Sequence, residues 1–353
     1  MQRIRNFILI PTEYEVDSTI IELVYKIQLR IDFMNNHYFK NLILVFIVGL
    51  FYLLNATDTS MVFGIDSEKY SFVSKIGSKG TSDGQFDTPH TIAFDSSGNM
   101  YVTDTKNARV QKFDNNGTFL TKWGSKGTGD GQFQGPEGID VDNLSNIYVA
   151  DTKNSRIQKF DNNGTFLTKW GSFGTGNGQF SKHVHGIVVD SKGNLYVTDR
   201  DNSNIQKFDN KGTFLTRLGS PGISNAHFLQ PHSTAIDSKG NLYVSDMNNF
   251  RIQKFDNNGT FLTKWGSRGT DDGKFMKPSG IDLDSQDNVY VVDKNTSRIQ
   301  KFDNNGTFLT KWGSRGMGEG QFLEPEDIEI DSSNKVYVTD RGTASIQSFI
   351  KLH

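Results

Sequence analysis

The chain has 353 residues, a formal net charge of −2 and no cysteine. A chain of this length buries a sizeable core without covalent cross-links. The absence of cysteine from the sequence excludes structural disulfides and thiolate metal sites, and the near-zero charge argues against a general polyanion binder.

An unbroken apolar run, LILVFIVGLFYLL, occupies residues 42–54. It is shorter than the roughly 20 residues of a typical membrane-spanning helix and close to the roughly 7–15 residues of a signal-peptide core. Ala56 follows the run as a small residue suited to a cleavage site. We therefore expect a hydrophobic helix that acts as a cleaved signal or a retained anchor, although a buried core segment would give the same pattern.

This interpretation divides the chain into three parts. Residues 1–56 form an N-terminal extension, in which Met34 is a candidate start, residues 57–68 are a linker, and residues 69–353 form the folded domain. The folded domain is then expected outside the cytoplasm, either secreted or anchored to the membrane through residues 42–54.

The folded domain consists of repeats. The sequence Tyr-Val-x-Asp recurs every 47 or 48 residues in six copies, whose aspartates are Asp104, Asp151, Asp199, Asp246, Asp293 and Asp340. Each copy contains four short segments rich in β-forming residues, such as GIDVD, NIYVAD, RIQKFD and TFLTKWG within residues 138–171. An Asn-Gly turn between the third and fourth segments is typical of a tight hairpin. Four antiparallel strands at this period predict an all-β, six-bladed β-propeller.

The two ends of the domain complement each other. Residues 71–77, SFVSKIG, match only the fourth segment of a repeat, and residues 345–353, SIQSFIKLH, match only the third. We expect the N-terminal strand 71–77 to complete the C-terminal blade, which closes the ring of blades without an unpaired seam.

The repeats resemble the NHL repeat. The similarity is visible in GQFQGPEGIDVDNLSNIYVADTKNSRIQKFDNNGTFLTKWG, residues 131–171, and extends over about residues 69–353. It implies a propeller fold. It does not fix a function, because NHL propellers include RNA binders, lyases, sensor domains and protein-interaction platforms.

Features present in every copy are expected to be structural. Each repeat aspartate should accept hydrogen bonds at the turn into the third strand. In four copies an arginine five residues later can pair with it, namely Arg109, Arg156, Arg251 and Arg298. The fourth-strand tryptophans are expected to pack in the blades, namely Trp123, Trp170, Trp265 and Trp312.

The position just before the innermost strand varies between copies and is the candidate functional site. Its residues should form a ring at one mouth of the central channel: His90, Glu137, His185, His232, Ser279 and Glu326. Imidazole and carboxylate groups together suit zinc or another divalent first-row metal. A wet channel mouth would also favour polar residues without any metal.

The sequences PHT, VHG and PHS around the three histidines are similar to those of the peptidylglycine amidating lyases, six-bladed propellers in which histidines at this place bind zinc. The resemblance implies His90, His185 and His232 as metal ligands. Glu137 lies between His90 and His185 in the ring and is a candidate substitute ligand. In that family the histidines lie on alternating blades, whereas in this chain they lie on the first, third and fourth. We therefore expect the imidazoles to be splayed around the channel.

Two functions follow as hypotheses. The first is a non-catalytic, monomeric platform that binds a protein, peptide or glycan on the channel-mouth face. The second is a zinc-dependent lyase or hydrolase that uses the histidines, with its catalytic residues unassigned. Nucleic acid is not an expected partner, because basic and acidic residues nearly balance on the loops of that face.

Overall fold

The computed structural model describes residues 68–352. These residues form six four-stranded antiparallel sheets, the blades. The first strands of successive blades contact one another in a closed circle, so they surround the central axis. The predicted all-β, six-bladed propeller is confirmed.

The strands of blades 1–5 follow the repeat in chain order. Blade 1 contains β2 (Pro89–Phe94), β3 (Met100–Asp104), β4 (Arg109–Phe113) and β5 (Phe119–Trp123). Blade 2 contains β6 (Pro136–Val141), β7 (Ile147–Asp151), β8 (Arg156–Phe160) and β9 (Phe166–Trp170). Blade 3 contains β12 (Val184–Val189), β13 (Leu195–Asp199), β14 (Asn204–Phe208) and β15 (Phe214–Leu218). Blade 4 contains β16 (Pro231–Ile236), β17 (Leu242–Asp246), β18 (Arg251–Phe255) and β19 (Phe261–Trp265). Blade 5 contains β20 (Pro278–Leu283), β21 (Val289–Asp293), β22 (Arg298–Phe302) and β23 (Phe308–Trp312).

Short elements lie in the loops. Two parallel strand pairs occur between blades, β10 (Ser172–Phe173) with β11 (Gln179–Phe180) and β24 (Ser314–Arg315) with β25 (Gln321–Phe322). Three single 3-10 turns follow repeat aspartates, at Thr152–Asn154, Met247–Asn249 and Lys294–Thr296.

Blade 6 joins the two ends of the propeller. It contains β26 (Pro325–Ile330), β27 (Val336–Asp340), β28 (Ser345–Lys351) and, at its outer edge, β1 (Tyr70–Ile76). β1 pairs antiparallel with β28, with Ile76 opposite Ile346. The Tyr70 ring also stacks on Trp312 of blade 5, with the ring centroids 4.1 Å apart. The expected closure by strand 71–77 is confirmed, with the strand placed one residue earlier.

Aromatic side chains fill the space between blades. Phe133, in the loop that leads into blade 2, is fully buried and packs on Phe160, with the ring centroids 5.6 Å apart. Trp123 of blade 1 lies 5.9 Å from the same Phe160 ring. It also covers Gly164 in the hairpin of blade 2, where a Cβ atom would lie 2.6 Å from the indole. The outer-strand tryptophans therefore pack between blades.

Asp151 illustrates the role of the repeat aspartates. Its fully buried carboxylate accepts hydrogen bonds from the Gln134 backbone N–H at 2.7 Å, from Arg156 Nε at 2.7 Å and from Asn154 Nδ2 at 2.8 Å. Arg156 Nη1 donates to the carbonyl of Thr128 at 2.8 Å. The ion pair thus holds the loop that precedes β6, the inner strand of blade 2, against the rest of that blade.

The N-terminal predictions lie outside the described residues. These are the hydrophobic helix within residues 1–56, the signal or anchor role of residues 42–54, and residues 57–67 of the linker. Between residues 68 and 352, the structure contains no helix of the length and apolarity needed to span a bilayer.

Candidate functional site

The six ring positions occupy the same place in all six blades, as the second residue of each inner strand. In blade 1, Pro89 pairs with Asp104, and regular pairing resumes only at Ile92. This β-bulge releases His90 from the regular alternation of the strand and re-aims its side chain. The same register shift occurs at the start of every inner strand.

The three histidines converge at the axis. The ring centroids of His185 and His232 lie 3.7 Å apart, those of His90 and His185 4.6 Å apart, and those of His90 and His232 6.2 Å apart. All three side chains are buried. The expectation that they would be splayed is wrong, because six inner strands leave only a narrow axial space into which their second residues project.

Glu326 completes this cluster from blade 6. Its Oε1 atom lies 3.0 Å from His232 Nε2 and 3.6 Å from His90 Nε2. Its Oε2 atom accepts hydrogen bonds from Lys294 Nζ at 2.5 Å and from Arg341 Nη1 at 3.1 Å. The carboxylate therefore faces imidazoles on one side and cations on the other.

Burial sets the protonation states in the cluster. It lowers the pKa of His90 to about 3 and that of His232 to about 4, although Glu326 opposes both shifts, and it holds the pKa of His185 well below its usual value. Burial alone would raise the pKa of Glu326, but the histidines and Lys294 hold it well below the ordinary range. At neutral pH the site therefore presents neutral imidazoles and an ionised carboxylate, which is the form that binds a metal.

The donor set fits a divalent metal. One ligand atom each from His90, His185 and Glu326, which we call the metal trio, lie within 4.8 Å of one another. His90 Nε2 is buried without a hydrogen-bond partner among residues 68–352, as is His232 Nδ1. Two imidazoles and a carboxylate suit zinc or another first-row divalent ion.

The other ring members lie around the metal trio. His232 and Glu137 were expected among the ligands. His232 instead bonds to Glu326. Glu137 Oε2 lies 3.5 Å from His185 Nε2 and has no hydrogen-bond partner among the described residues. Burial raises the pKa of Glu137 to about 7. Ser279 is buried, with its hydroxyl directed at the Val292 carbonyl 3.5 Å away, so it does not join the cluster.

Four cations surround the mouth, and sequence reasoning missed their clustering. We call them the basic collar: Arg200, Lys277, Lys294 and Arg341. Lys294 and Arg341 both contact Glu326 Oε2. Burial, and then the charges of Lys294, Arg200 and Arg341, lower the pKa of Lys277. The sequence signal was local, since the residue after the repeat aspartate is uncharged in blades 1, 2 and 4 and cationic in blades 3, 5 and 6.

A second, acidic layer lines the channel below the ring and was also not predicted. Asp140, Asp282, Asp327 and Glu329 border an internal cavity of about 50 Å³, which has room for a few water molecules. The Asp140 carboxylate accepts the Val189 N–H of the next inner strand at 2.6 Å, and Asp282 accepts the Ile330 N–H at 2.8 Å. These carboxylates therefore satisfy amides on the unpaired edges of the inner strands.

Family models match most of the propeller. Four segments match the NHL repeat, at residues 86–113, 133–160, 182–208 and 228–255. Residues 270–349 match a family described as a 6-bladed beta-propeller. No curated protein sequence matches the chain.

Several solved structures share the fold. A protein of unknown function from Bacteroides thetaiotaomicron aligns with a TM-score of 0.62 and 18% identity, over 81% of this chain and 76% of that chain. A gluconolactonase from Xanthomonas campestris aligns with a TM-score of 0.58 and 13% identity, over 81% and 97%. A catalytically inactive histidine-to-alanine variant of virginiamycin B lyase from Staphylococcus aureus, with quinupristin, aligns with a TM-score of 0.56 and 14% identity, over 80% and 88%. Sequence identities this low establish the shared fold alone. The repeat matches and the blade topology identify the chain as a six-bladed β-propeller of NHL repeats.

Proposed function

We propose that the protein is a metal-dependent lyase or hydrolase whose site is the channel mouth. The convergence of His90, His185 and Glu326 to within 4.8 Å of one another carries this proposal. A binding surface that needs only polar side chains does not require two neutral imidazoles and an ionised carboxylate to meet at one point. The buried His90 Nε2, which has no hydrogen-bond partner among the described residues, supports the same conclusion.

The chain's own residues have distinct roles in this proposal. A divalent ion on the metal trio would supply Lewis-acid chemistry and lower the pKa of bound water. Glu137, whose pKa of about 7 lies near physiological pH, is suited to accept or donate a proton. His232 and Lys294 bond to opposite oxygens of Glu326 and orient it as a ligand.

The structural neighbours are compatible with this class of chemistry. One is named a gluconolactonase and another a virginiamycin B lyase, and replacing a histidine leaves the latter catalytically inactive. These activities belong to those proteins. They support the proposal only in that the fold accommodates lyases and hydrolases.

The second candidate is the non-catalytic platform for a protein, peptide or glycan. One observation favours it: Glu326 already has bonding partners on both oxygens, from His232, Lys294 and Arg341, so the network is partly satisfied without a metal. Metal binding separates the two candidates, because the platform does not need it.

The proposed location is outside the cytoplasm. It rests on the apolar run at residues 42–54, whose length suits a signal-peptide core. Fractionation of cells that express the full chain tests it. Recovery in the medium or the membrane fraction is expected, and recovery in the cytoplasm alone would contradict it.

The decisive experiment measures zinc per chain by inductively coupled plasma mass spectrometry, after the purified protein is equilibrated with zinc and dialysed. About one zinc per chain is expected for the wild type, with loss in His90→Ala, His185→Ala and Glu326→Gln. His183→Ala is the matched control, because His183 lies on the same face, is half exposed and pairs with Asp201.

Circular dichroism of each variant verifies that the fold is retained. Zinc that stays bound in the His90→Ala/His185→Ala double variant, or a wild type that binds none, would reject the metal-dependent enzyme and leave the platform. Zinc lost equally from the His183→Ala control would also count against the trio.

A further inference from the structure

We propose that the basic collar is an oxyanion site, which receives a carboxylate or phosphate group of the ligand. The inference deepens the proposed function, on which it rests, by naming the substrate class. The collar comprises Arg200, Lys277, Lys294 and Arg341. Lys294 and Arg341 contact Glu326 of the metal trio, so a group bound by these two cations lies beside the trio.

Three collar residues occupy equivalent positions in different blades. Arg200, Lys294 and Arg341 each follow the repeat aspartate that ends the second strand, in blades 3, 5 and 6. The other three blades carry Thr105, Thr152 or Met247 there. The repeat therefore does not require a cation at this position, and in two of the three blades that have one, the cation contacts Glu326.

The collar has more positive charge than its neighbours neutralise. Among residues 68–352, Glu326 is the carboxylate that contacts it, through Lys294 and Arg341. Arg200 Nη2 donates to the neutral Gln230 side chain at 3.2 Å, and Arg200 Nε is buried without a partner among the described residues. The charges of Glu324 and Glu137 also act on Arg341. Four cations against these three carboxylates still leave an excess of positive charge, which attracts an anion.

The collar is open to a small anion. The Arg341 side chain is 31% exposed and that of Lys294 is 16% exposed, while Arg200 and Lys277 are partly exposed. Arginine binds carboxylate and phosphate through paired N–H groups, and lysine adds a point charge. An oxyanion in the collar would place the adjoining part of the same molecule against the histidines and Glu137, where the reaction is proposed.

The test measures the binding of inorganic phosphate and of malonate to the full chain after EDTA treatment. Thermal shift and isothermal titration calorimetry monitor binding, in chloride buffers of constant ionic strength. We expect at least one of the two anions to raise the melting temperature, and its affinity to fall at least tenfold in Arg200→Met and in Lys277→Met. Neither variant removes a contact to Glu326. Lys106→Met and Lys153→Met are matched controls, because both lysines are exposed on the same loop face.

The two anions distinguish a phosphate ligand from a carboxylate ligand. No binding of either anion, or equal binding by the collar variants and the controls, would overturn the oxyanion site. Zinc content is measured on the same samples before EDTA treatment. Zinc binding without anion binding rejects the collar alone, whereas anion binding without zinc binding rejects the metal-dependent function alone.

Discussion

Glu326 Oε1 lies 3.0 Å from Nε2 of His232, so a residue of blade 6 bonds to a residue of blade 4. The blade between them contributes Ser279 to the ring, and its small side chain leaves this path open. The bond ties Glu326 to the histidines, while Lys294 and Arg341 hold its second oxygen. A single carboxylate therefore connects the imidazole cluster to the basic collar.

Replacing Glu326 with glutamine should destabilise the protein by about 2–4 kcal/mol. The change keeps the size of the side chain but leaves Lys294 and Arg341 without their counter-charge, and breaking a buried ion pair is costly. Urea unfolding followed by tryptophan fluorescence measures the change. Glu324→Gln is the control, because Glu324 is exposed two residues earlier; equal effects of the two substitutions would contradict the central role of Glu326.

Replacing Gly164 with alanine should cost more than replacing Gly259. Both glycines have φ near +85°, so alanine introduces a similar backbone strain of about 1–2 kcal/mol at each position. The added Cβ would lie 2.6 Å from Trp123 at Gly164 but 3.7 Å from Leu218 at Gly259. We expect the free energy of unfolding to fall by about 1–3 kcal/mol more for Gly164→Ala. Equal losses in urea unfolding would show that the indole moves away without cost.

Arg156→Asn should destabilise blade 2 by about 2–4 kcal/mol. The substitution removes the bond to Asp151 and those to the loop carbonyls, several of them buried and charge-assisted. Blade 3 carries Asn204 at the equivalent position, so asparagine is compatible with the strand. Thermal and urea unfolding measure the change, and the exposed Arg315→Asn serves as control. A decrease of less than about 0.5 kcal/mol in the free energy of unfolding would mean that the Arg156–Asp151 pair contributes little to holding the loop.

Asp282→Asn should make stability depend less on pH. Burial raises the pKa of Asp282 to about 7, and Asp140 reinforces the shift. The folded state therefore binds an extra proton between about pH 4 and pH 7, and this contribution to stability is complete below pH 4 and lost as pH rises through 7. The variant should thus be more stable than the wild type at pH 8, by about 1–3 kcal/mol, with the advantage lost at pH 4.

Comparing the two chains at each pH isolates this carboxyl group. The neighbouring channel carboxyls Asp140, Asp327 and Glu329 and the three ring histidines are present in both. Asparagine retains an oxygen that can accept the Ile330 N–H. A constant difference between the two chains from pH 4 to pH 8 would contradict the raised pKa.

Local sequence patterns were enough to predict the blades. Alternating β-forming segments, the Asn-Gly turns and the incomplete repeats at both ends give the strand order and the closure by β1. The ring positions also followed from the sequence, because the variable residue occupies the same place in every repeat, at the start of the inner strand. His90, Glu326 and their neighbours could therefore be named in advance as a set.

Distances across the axis could not be predicted in this way. The blade number of each histidine gives the position of its strand on the circle but not how far its side chain reaches toward the axis. The imidazoles were therefore expected to be splayed, and Glu137 was predicted as a metal ligand in place of Glu326. Charge was summed over whole loops, which conceals the radius at which each residue lies. Lys294 and Arg341 are central, whereas Lys106 on the same face is exposed beside Asp87, and a sum treats them alike.

The seam in blade 6 makes closure of the ring depend on the synthesis of its strand β28. Among the strands of residues 68–352, β1 is synthesised first and its partner β28 last, with Ile76 opposite Ile346 in the folded ring. At about 5–20 residues per second, roughly 15–55 seconds separate the two. For that interval β1 has no native partner strand, and a chain that is cut short before β28 never acquires one. Synthesis of β28, Ser345–Lys351, is therefore what converts a row of blades into a ring.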